Sequence, residues 1–401
     1  MNNSFLEKLT VKLNNSLLNN FGVENFDESR FGNFDKFNQL YNQTYVAPKS
    51  LLISFKSFIK KIIGYKKHIV HNKQVDLDNR NDMPQKTSEY IVHDIQIDWI
   101  KKYQGKLQNI YNNLNSEGQN LLVDLLAYRQ LGYKKVKLTR NSPKYWEHIA
   151  LAKSLADKNN SIDPRFMHFM LQKHNLTKIG FDVELYFMSE GVAIDYLIEQ
   201  YAYKLNGNEI VAVEKDDVIL DIGACWGDTA LYFAHKTGCK GKVYSFEFIP
   251  DNIKLFNINK SFNPNLADQI ELVERPVSNI TGNTIYYKDQ GPGSKIEIHP
   301  FEGQTGTTTT ITVDDLIKQY NINKVDFIKM DIEGAEPFAL EGAIETIKKF
   351  RPKLAIAIYH SMDDFTNIPN WILDLNLGYE IYIDHFTIHA EETVCFAKIK
   401  Q

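Results

Sequence analysis

The chain has 401 residues, enough for two domains or for one domain with a large extension. Its 46 Lys and Arg against 50 Asp and Glu give a formal net charge of -4, which argues against a general polyanion-binding surface and against nucleic acid as a partner. Cys225, Cys239 and Cys395 make neither a disulfide framework nor a metal-ligand spacing, the start carries no basic-then-apolar leader, and no apolar run approaches the ~20 residues of a membrane span. These features predict a cytoplasmic protein.

In chain order, residues 1–48 are rich in Asn and Phe, and Phe5, Leu9, Leu13, Leu17 and Phe21 share one helical face. Residues 51–67 set an apolar stripe among lysines. Such a helix can make a weak peripheral contact with an anionic membrane, but a surface helix packed on its own protein is the preferred reading. Residues 71–88, polar and containing Pro84, read as a linker. Helices are predicted over 95–114, after a capping box at Ser116–Gln119, and over 145–156, with a short strand at 134–138. Residues 1–175 are therefore expected to form a mainly helical N-terminal region.

A second region, 176–401, opens with alternation over 179–187 that reads as a strand. A helix is predicted over 194–203, whose Tyr196, Tyr201 and Tyr203 are candidates either to line a pocket or to pack half-buried. From Val218 the pattern is regular α/β. Strands are predicted at 218–222, 242–247, 270–275, 324–330, 353–358, 380–384 and 394–398, and helices at 228–234, 250–260, 313–320, 336–349 and 371–377. Residues 284–288, 295–298 and 307–312 read as added β-hairpin material. Asp228 and Thr229 are expected to cap the first of these helices.

The chemistry starts at the turn after the first strand. Gly223-Ala224-Cys225-Trp226-Gly227 departs from the G-x-G-x-x-G of dinucleotide sites, because Cys225 and Trp226 stand where small residues are needed. Asp221 beside the turn would repel a diphosphate but suits the ammonium of a methionine moiety. Backbone N–H groups of the turn can take its carboxylate, and Glu247, ending the second strand, can accept from both ribose hydroxyls. That arrangement predicts S-adenosylmethionine as the cofactor.

With these pieces in place, the chain resembles the FkbM family of S-adenosylmethionine-dependent methyltransferases. The resemblance rests on Asp221-Ile-Gly-Ala-Cys-Trp-Gly-Asp-Thr229, Tyr244-Ser-Phe-Glu-Phe-Ile-Pro250, Glu274-Arg-Pro-Val-Ser278, Ile311-Thr-Val-Asp-Asp-Leu316, Val325-Asp-Phe-Ile-Lys-Met-Asp-Ile-Glu-Gly-Ala-Glu336 and Ala357-Ile-Tyr-His360. It covers roughly 179–400, with residues 121–146 resembling a flank of some members. It implies a Rossmann-like, seven-stranded class I methyltransferase sheet whose last strand is antiparallel, and O-methylation of sugars or natural products. Candidate cofactor-binding residues are Asp221, Gly223, Ala224, Trp226, Gly227, Asp228, Thr229, Glu247, Phe248, Ser278 and Asp331. The resemblance implies that Ser278 contacts the adenine, where a turn residue before Asn279 is the alternative, and Phe248 is a candidate to pack either on the adenine face or on the sheet.

On the acceptor side, Asp331, Glu333 and His360 are the candidate catalytic residues, because an alcohol is a poor nucleophile until its proton leaves. His360 can take that proton, Asp331 can hold the donor amine or a substrate hydroxyl, and Glu333 can bind substrate or cap the next helix. Asp331, Glu333 and Glu336 form a local acid run whose oxygens suit Mg²⁺, but spacing alone does not select a metal, a solvated helix start explains the acids more simply, and no metal is assigned. The expected function is O-methylation of a sugar hydroxyl on a saccharide or glycoconjugate precursor. The alternatives are N-methylation of an amine or protein acceptor and a non-catalytic module that binds S-adenosylmethionine.

Overall fold

The computed structural model describes residues 5–37, 98–166 and 169–400. The basic amphipathic stretch 51–67 and the linker 71–88 lie outside the described residues. No helix among the described residues is long and apolar enough to cross a membrane. The chain divides into two compact units. The first comprises the described residues up to Ser142 with Thr387–Glu391, and the second runs over Pro143–Phe386 with Glu392–Gln401. Residues 143–175, grouped with the N-terminal region on sequence, fall within the second unit.

The first unit is helical: α1 (Phe5–Leu17), α2 (Asp98–Asn113) and α3 (Ser116–Leu131). Phe5, Leu9 and Leu13 bury one face of α1 against α2 and α3, as their spacing predicts. The cap of α3 is one residue earlier than expected. Asn115 accepts from the Gly118 N–H at 2.8 Å, while Gln119 turns back to the carbonyls of Tyr111 and Leu114. Residues 134–138 run from a turn into irregular chain rather than a strand, and the side chain of Asn25 donates to the Val136 carbonyl there at 2.8 Å.

The second unit begins with α4 (Pro143–Leu155) and a small antiparallel sheet, β1 (Ala156–Ile162), β2 (Leu171–Asn175) and β3 (Glu184–Phe187). A helix over 194–203 does not form. Ser189–Val192 is a helical turn that widens into a π-helical turn at Ala193–Ile198, and Tyr203 starts the hairpin β4 (Tyr203–Leu205) and β5 (Asn208–Val211).

The α/β core follows: β6 (Val218–Ile222), α5 (Asp228–Thr237), β7 (Lys242–Phe246), α6 (Pro250–Ser261) and β8 (Ile270–Val273). Next come β9 (Thr284–Lys288), β10 (Lys295–Glu297) and β11 (Gly306–Thr309), a separate antiparallel sheet in the order β10-β9-β11, where hairpin material is expected. The rest is α7 (Val313–Gln319), β12 (Phe327–Met330), α8 (Glu336–Glu341), α9 (Ile344–Phe350), β13 (Lys353–Ala357), α10 (Met362–Asp374), β14 (Tyr379–His385) and β15 (Thr393–Ile399). The single helix expected over 336–349 is two. Gly342 brings its α-carbon against the Ser278 carbonyl, where an added Cβ would sit 2.2 Å away, and Asp314 caps α9 through the N–H groups of Glu345 and Thr346.

The main sheet has seven strands in the order β14-β15-β13-β12-β6-β7-β8. β13 through β8 are parallel, and β15 is antiparallel to both β13 and β14. The expected seven-stranded sheet with its antiparallel last strand is thus present. Central parallel strands are covered on both faces, which is why β6 and β12 read as apolar runs. The order reverses at β6, where β7 lies on one side and β12 on the other. That is the switch point at which such sheets bind ligands beyond their carboxyl ends.

Candidate active site

Asp221 on β6 has two register partners, Lys329 on β12 and Ser245 on β7. Register partners in a sheet project to the same face, so the three side chains form a row across it. Lys329 Nζ lies 3.3 Å from Asp221 Oδ1, and both side chains are buried. Ser245 donates to Asp221 at 3.3 Å, and Thr229 donates to both its oxygens at 3.0 Å. Burial works against charge on Lys329, but Asp221, Asp331 and Asp228 outweigh it and raise its pKa. Sequence reasoning missed Lys329, whose only signal is a cation inside an apolar strand.

Asp221, read as the carboxylate for the donor ammonium, is therefore fully buried and engaged by three protein side chains. Asp331 is the acid at the open edge. Thr229, read as a cap, spends its hydroxyl on Asp221. Gly227 occupies the cap position of α5 without a side-chain bond, at φ +85°, and Asp228 is the first residue of the helix.

The turn is held against β7, because the N–H groups of Gly223 and Ala224 both donate to the Phe246 carbonyl. Those two amides are thus occupied, and the natural seat for a carboxylate is the first turn of α5, whose N–H groups have no intrahelical acceptor. Lys329 Nζ also donates to the Gly223 carbonyl at 2.6 Å. Trp226 is buried, with its indole N–H donating to Asn252 at 3.1 Å, so it props the turn from within. Asp228 is buried beside Asp195 of the π-helical turn. Burial raises both carboxyls, Asp195 well above its usual range and Asp228, opposed by Lys329, to about 6.

Glu247 follows β7. Its Oε1 accepts from the N–H groups of Phe248 and Ile249 at 2.6 and 2.8 Å, and its Oε2 accepts from Asn252 at 3.0 Å. A carboxylate has about four acceptor sites, so roughly one remains, on Oε2, for a ribose hydroxyl rather than two. Burial raises its pKa to about 7 against the pull of these donors. Phe248 is half-buried and meets Tyr287 of β9 edge to face at 5.8 Å. Ser278 lies beyond β8, with its N–H bonded to the Ile311 carbonyl and its hydroxyl 3.4 Å from Asn279.

The acceptor-side candidates converge. Asp331 follows β12, and Tyr201 and Tyr359 donate their hydroxyls to it at 3.2 and 3.1 Å. His360, past the end of β13, is buried, with Nε2 3.4 Å from Asp331 Oδ1 and 3.8 Å from Glu333 Oε2. Its Nδ1 lies 3.4 Å from Glu336 Oε1. Burial pulls the His360 pKa down, but Glu336, Asp331 and Glu333 together hold it above the usual value. Glu333 sits at φ +59° with its side chain largely exposed. It does not cap α8. Glu336 takes the Ile332 N–H at 2.7 Å and so closes the turn that precedes the helix.

Residues 221–381 match the family model described as the methyltransferase FkbM domain. The 2-O-methyltransferase NoeI of Sinorhizobium fredii is 26% identical over 167 residues, which are 37% of this chain and 66% of that protein, so the chain spans just under two thirds of that relative. The crystal structure of Methyltransferase FkbM from Methylobacillus flagellatus aligns at a TM-score of 0.46 and 19% identity, over 75% of this chain and 60% of that one. Aeropyrum pernix fibrillarin, solved with bound S-adenosyl-L-methionine, aligns at 0.31 and 15% identity, over 57% of this chain and 89% of its own. The turn beside the acid-ended strands lies inside the matched segment, and residues 221–381 are similar to the methyltransferase FkbM domain, of the class that uses S-adenosylmethionine as cofactor.

Proposed function

We propose that the protein is a methyltransferase that transfers the methyl group of S-adenosylmethionine to a sugar hydroxyl on a saccharide or glycoconjugate precursor. The observation that carries this reading is the convergence of Asp331, Glu333 and His360 at the carboxyl edge, next to the glycine turn. The sulfonium is already activated, so the protein's work is to align acceptor oxygen, methyl carbon and sulfur. Gly223, Ala224, Gly227, Asp228 and Thr229 shape the donor seat, Glu247 holds the ribose, Phe248 and Ser278 flank the adenine, and Asp331 meets the donor ammonium. Asp331, His360 and Glu333 face the acceptor. The likeness to a 2-O-methyltransferase supports oxygen as the acceptor atom.

Calorimetry on the full chain tests the donor. S-adenosylmethionine and S-adenosylhomocysteine should bind and NAD should not, and no heat with either sulfur ligand would remove the cofactor from the proposal. Mass spectrometry of glycans from cells lacking the protein tests the acceptor, because one sugar should lose a methyl group. Removing the His360 side chain should cost about 10²–10⁴ in turnover on a hydroxyl. Turnover left nearly intact would favour an amine, whose lone pair is already available.

Glu247 adds a pH dependence. Its raised pKa leaves the free carboxyl partly protonated near neutrality. The ionised form accepts a ribose hydroxyl more strongly, so donor affinity should increase about fivefold from roughly pH 6 to roughly pH 8. Glu247→Gln should flatten that profile, and a wild-type affinity that falls with pH would contradict the assignment.

A further inference from the structure

Beginning at Asp331 on the border of the donor seat, one group of side chains has a geometry that methyl alignment does not require. Asp331, Glu336 and His360 come from three places: the position after β12, the first turn of α8 and the segment after β13. One ligand atom from each lies within 4.8 Å of the other two. Glu336 is fully buried, and its Oε1 is used by the Ile332 N–H. Its Oε2 is also buried and has no hydrogen-bond partner among the described residues. An ionised carboxylate with an unmatched buried oxygen is costly unless a cation meets it. The imidazole of His360 stands between Glu336 and Asp331, with Glu333 nearby. Even a protonated imidazole carries one positive charge against these three acids, of which Glu336 is raised by burial to about 7 and is ionised more readily when a cation stands beside it.

We propose that Asp331, Glu336 and His360 hold a divalent cation that binds the acceptor's hydroxyl oxygen. The donor set is two carboxylates and one imidazole. Carboxylates suit Mg²⁺ and Mn²⁺, whereas imidazole moves the choice toward the first-row metals, so Mn²⁺ is the ion that fits both. Three protein ligands leave coordination positions open, and two adjacent hydroxyls of a sugar can fill them. Tyr201 donates to Asp331 Oδ2 and Tyr359 to both its oxygens, and such outer hydrogen bonds orient metal ligands elsewhere. This inference rests on the proposed methyl transfer to a hydroxyl and names what makes that hydroxyl reactive. An oxygen bound to the cation loses its proton more readily, and that proton passes to solvent. The oxygen then forms a bond to the methyl carbon as the carbon–sulfur bond breaks, and that bond's electron pair stays on sulfur to leave neutral S-adenosylhomocysteine.

The test is a Mn²⁺ titration of the full chain, followed by electron paramagnetic resonance and by calorimetry. One saturable site is expected in the wild type. Glu336→Gln, Asp331→Asn and His360→Ala should each weaken it tenfold or more. Glu345→Gln, on an exposed stretch of α9, should leave it unchanged. Circular dichroism identifies any variant that fails to fold. Should Glu336→Gln fail, Asp331→Asn and His360→Ala carry the comparison. No saturable site with Mn²⁺, Mg²⁺ or Zn²⁺ in the wild type, or affinity unchanged in the folded variants, would overturn the proposal. S-adenosylmethionine binding in the same sample separates the two ideas. Donor binding without cation binding sinks the cation alone, and cation binding without donor binding sinks the methyl-transfer reading.

Discussion

Lys329→Ala is expected to lower the stability of the second unit by about 3–5 kcal/mol, a fall in melting temperature of roughly 10 °C. The loss comes from what is left behind. Asp221 would remain buried with its cation gone, held only by the hydroxyls of Thr229 and Ser245. The Gly223 carbonyl would lose its ammonium donor at 2.6 Å, loosening the turn that frames the donor seat. A buried ion pair costs desolvation on both sides, so replacing both partners should hurt less than the sum of the two single changes. Lys329→Ala combined with Asp221→Asn should recover part of the stability lost in the two single variants. Thermal and denaturant melts of the singles and the double measure the coupling, and additive losses would mean that the pair is not the relevant contact.

Gly223→Ala is the second large effect. Gly223 sits at φ +91°, and an added Cβ would lie 2.0 Å from the Asp331 carbonyl oxygen. Both sides of that contact are backbone, so no rotamer change relieves it. Either the turn or the β12 end must move, and each carries part of the site. A stability loss of about 3 kcal/mol is expected from backbone strain and overlap. Turnover should fall roughly a hundredfold, because a shift of about 1 Å in aligned reacting groups costs that much. Gly238→Ala is the matched control. It also has a positive φ, +69°, but its nearest neighbour is the Lys215 side chain at 4.0 Å. It should show the strain alone and leave donor affinity unchanged in calorimetry. Equal effects of the two changes would show that close approach is not what selects Gly223.

Much of the fold was legible because it is local. The apolar runs of β6, β7, β12 and β13 and the glycine turn each show within a few neighbouring residues. Errors fell where a distant contact outweighs local preference. Gly342 interrupts a periodic helix because the Ser278 carbonyl occupies the space beside it. The sequence predicts a helix only over 371–377, because Pro369 reads as a break, whereas α10 starts at Met362, where Ser361 caps it through the Asp364 N–H. Thr229 has the right chemistry for a cap, yet a buried carboxylate competes for its hydroxyl.

The sequence by itself determined the α/β order, the turn at Gly223 to Gly227, the acid after each of two strands and the likeness to FkbM methyltransferases. Only the tertiary structure decided where those acids sit and what they touch. Strand order and register place Lys329 beside Asp221, so that acid is neutralised within the sheet and Asp331 is left at the edge. The same order brings His360 from β13 onto the acids that follow β12, turning a run of solvated charges into a partly buried cluster with a ligand geometry. Neither result is contained in spacing along the chain, because register and strand order are set by packing between segments far apart in sequence.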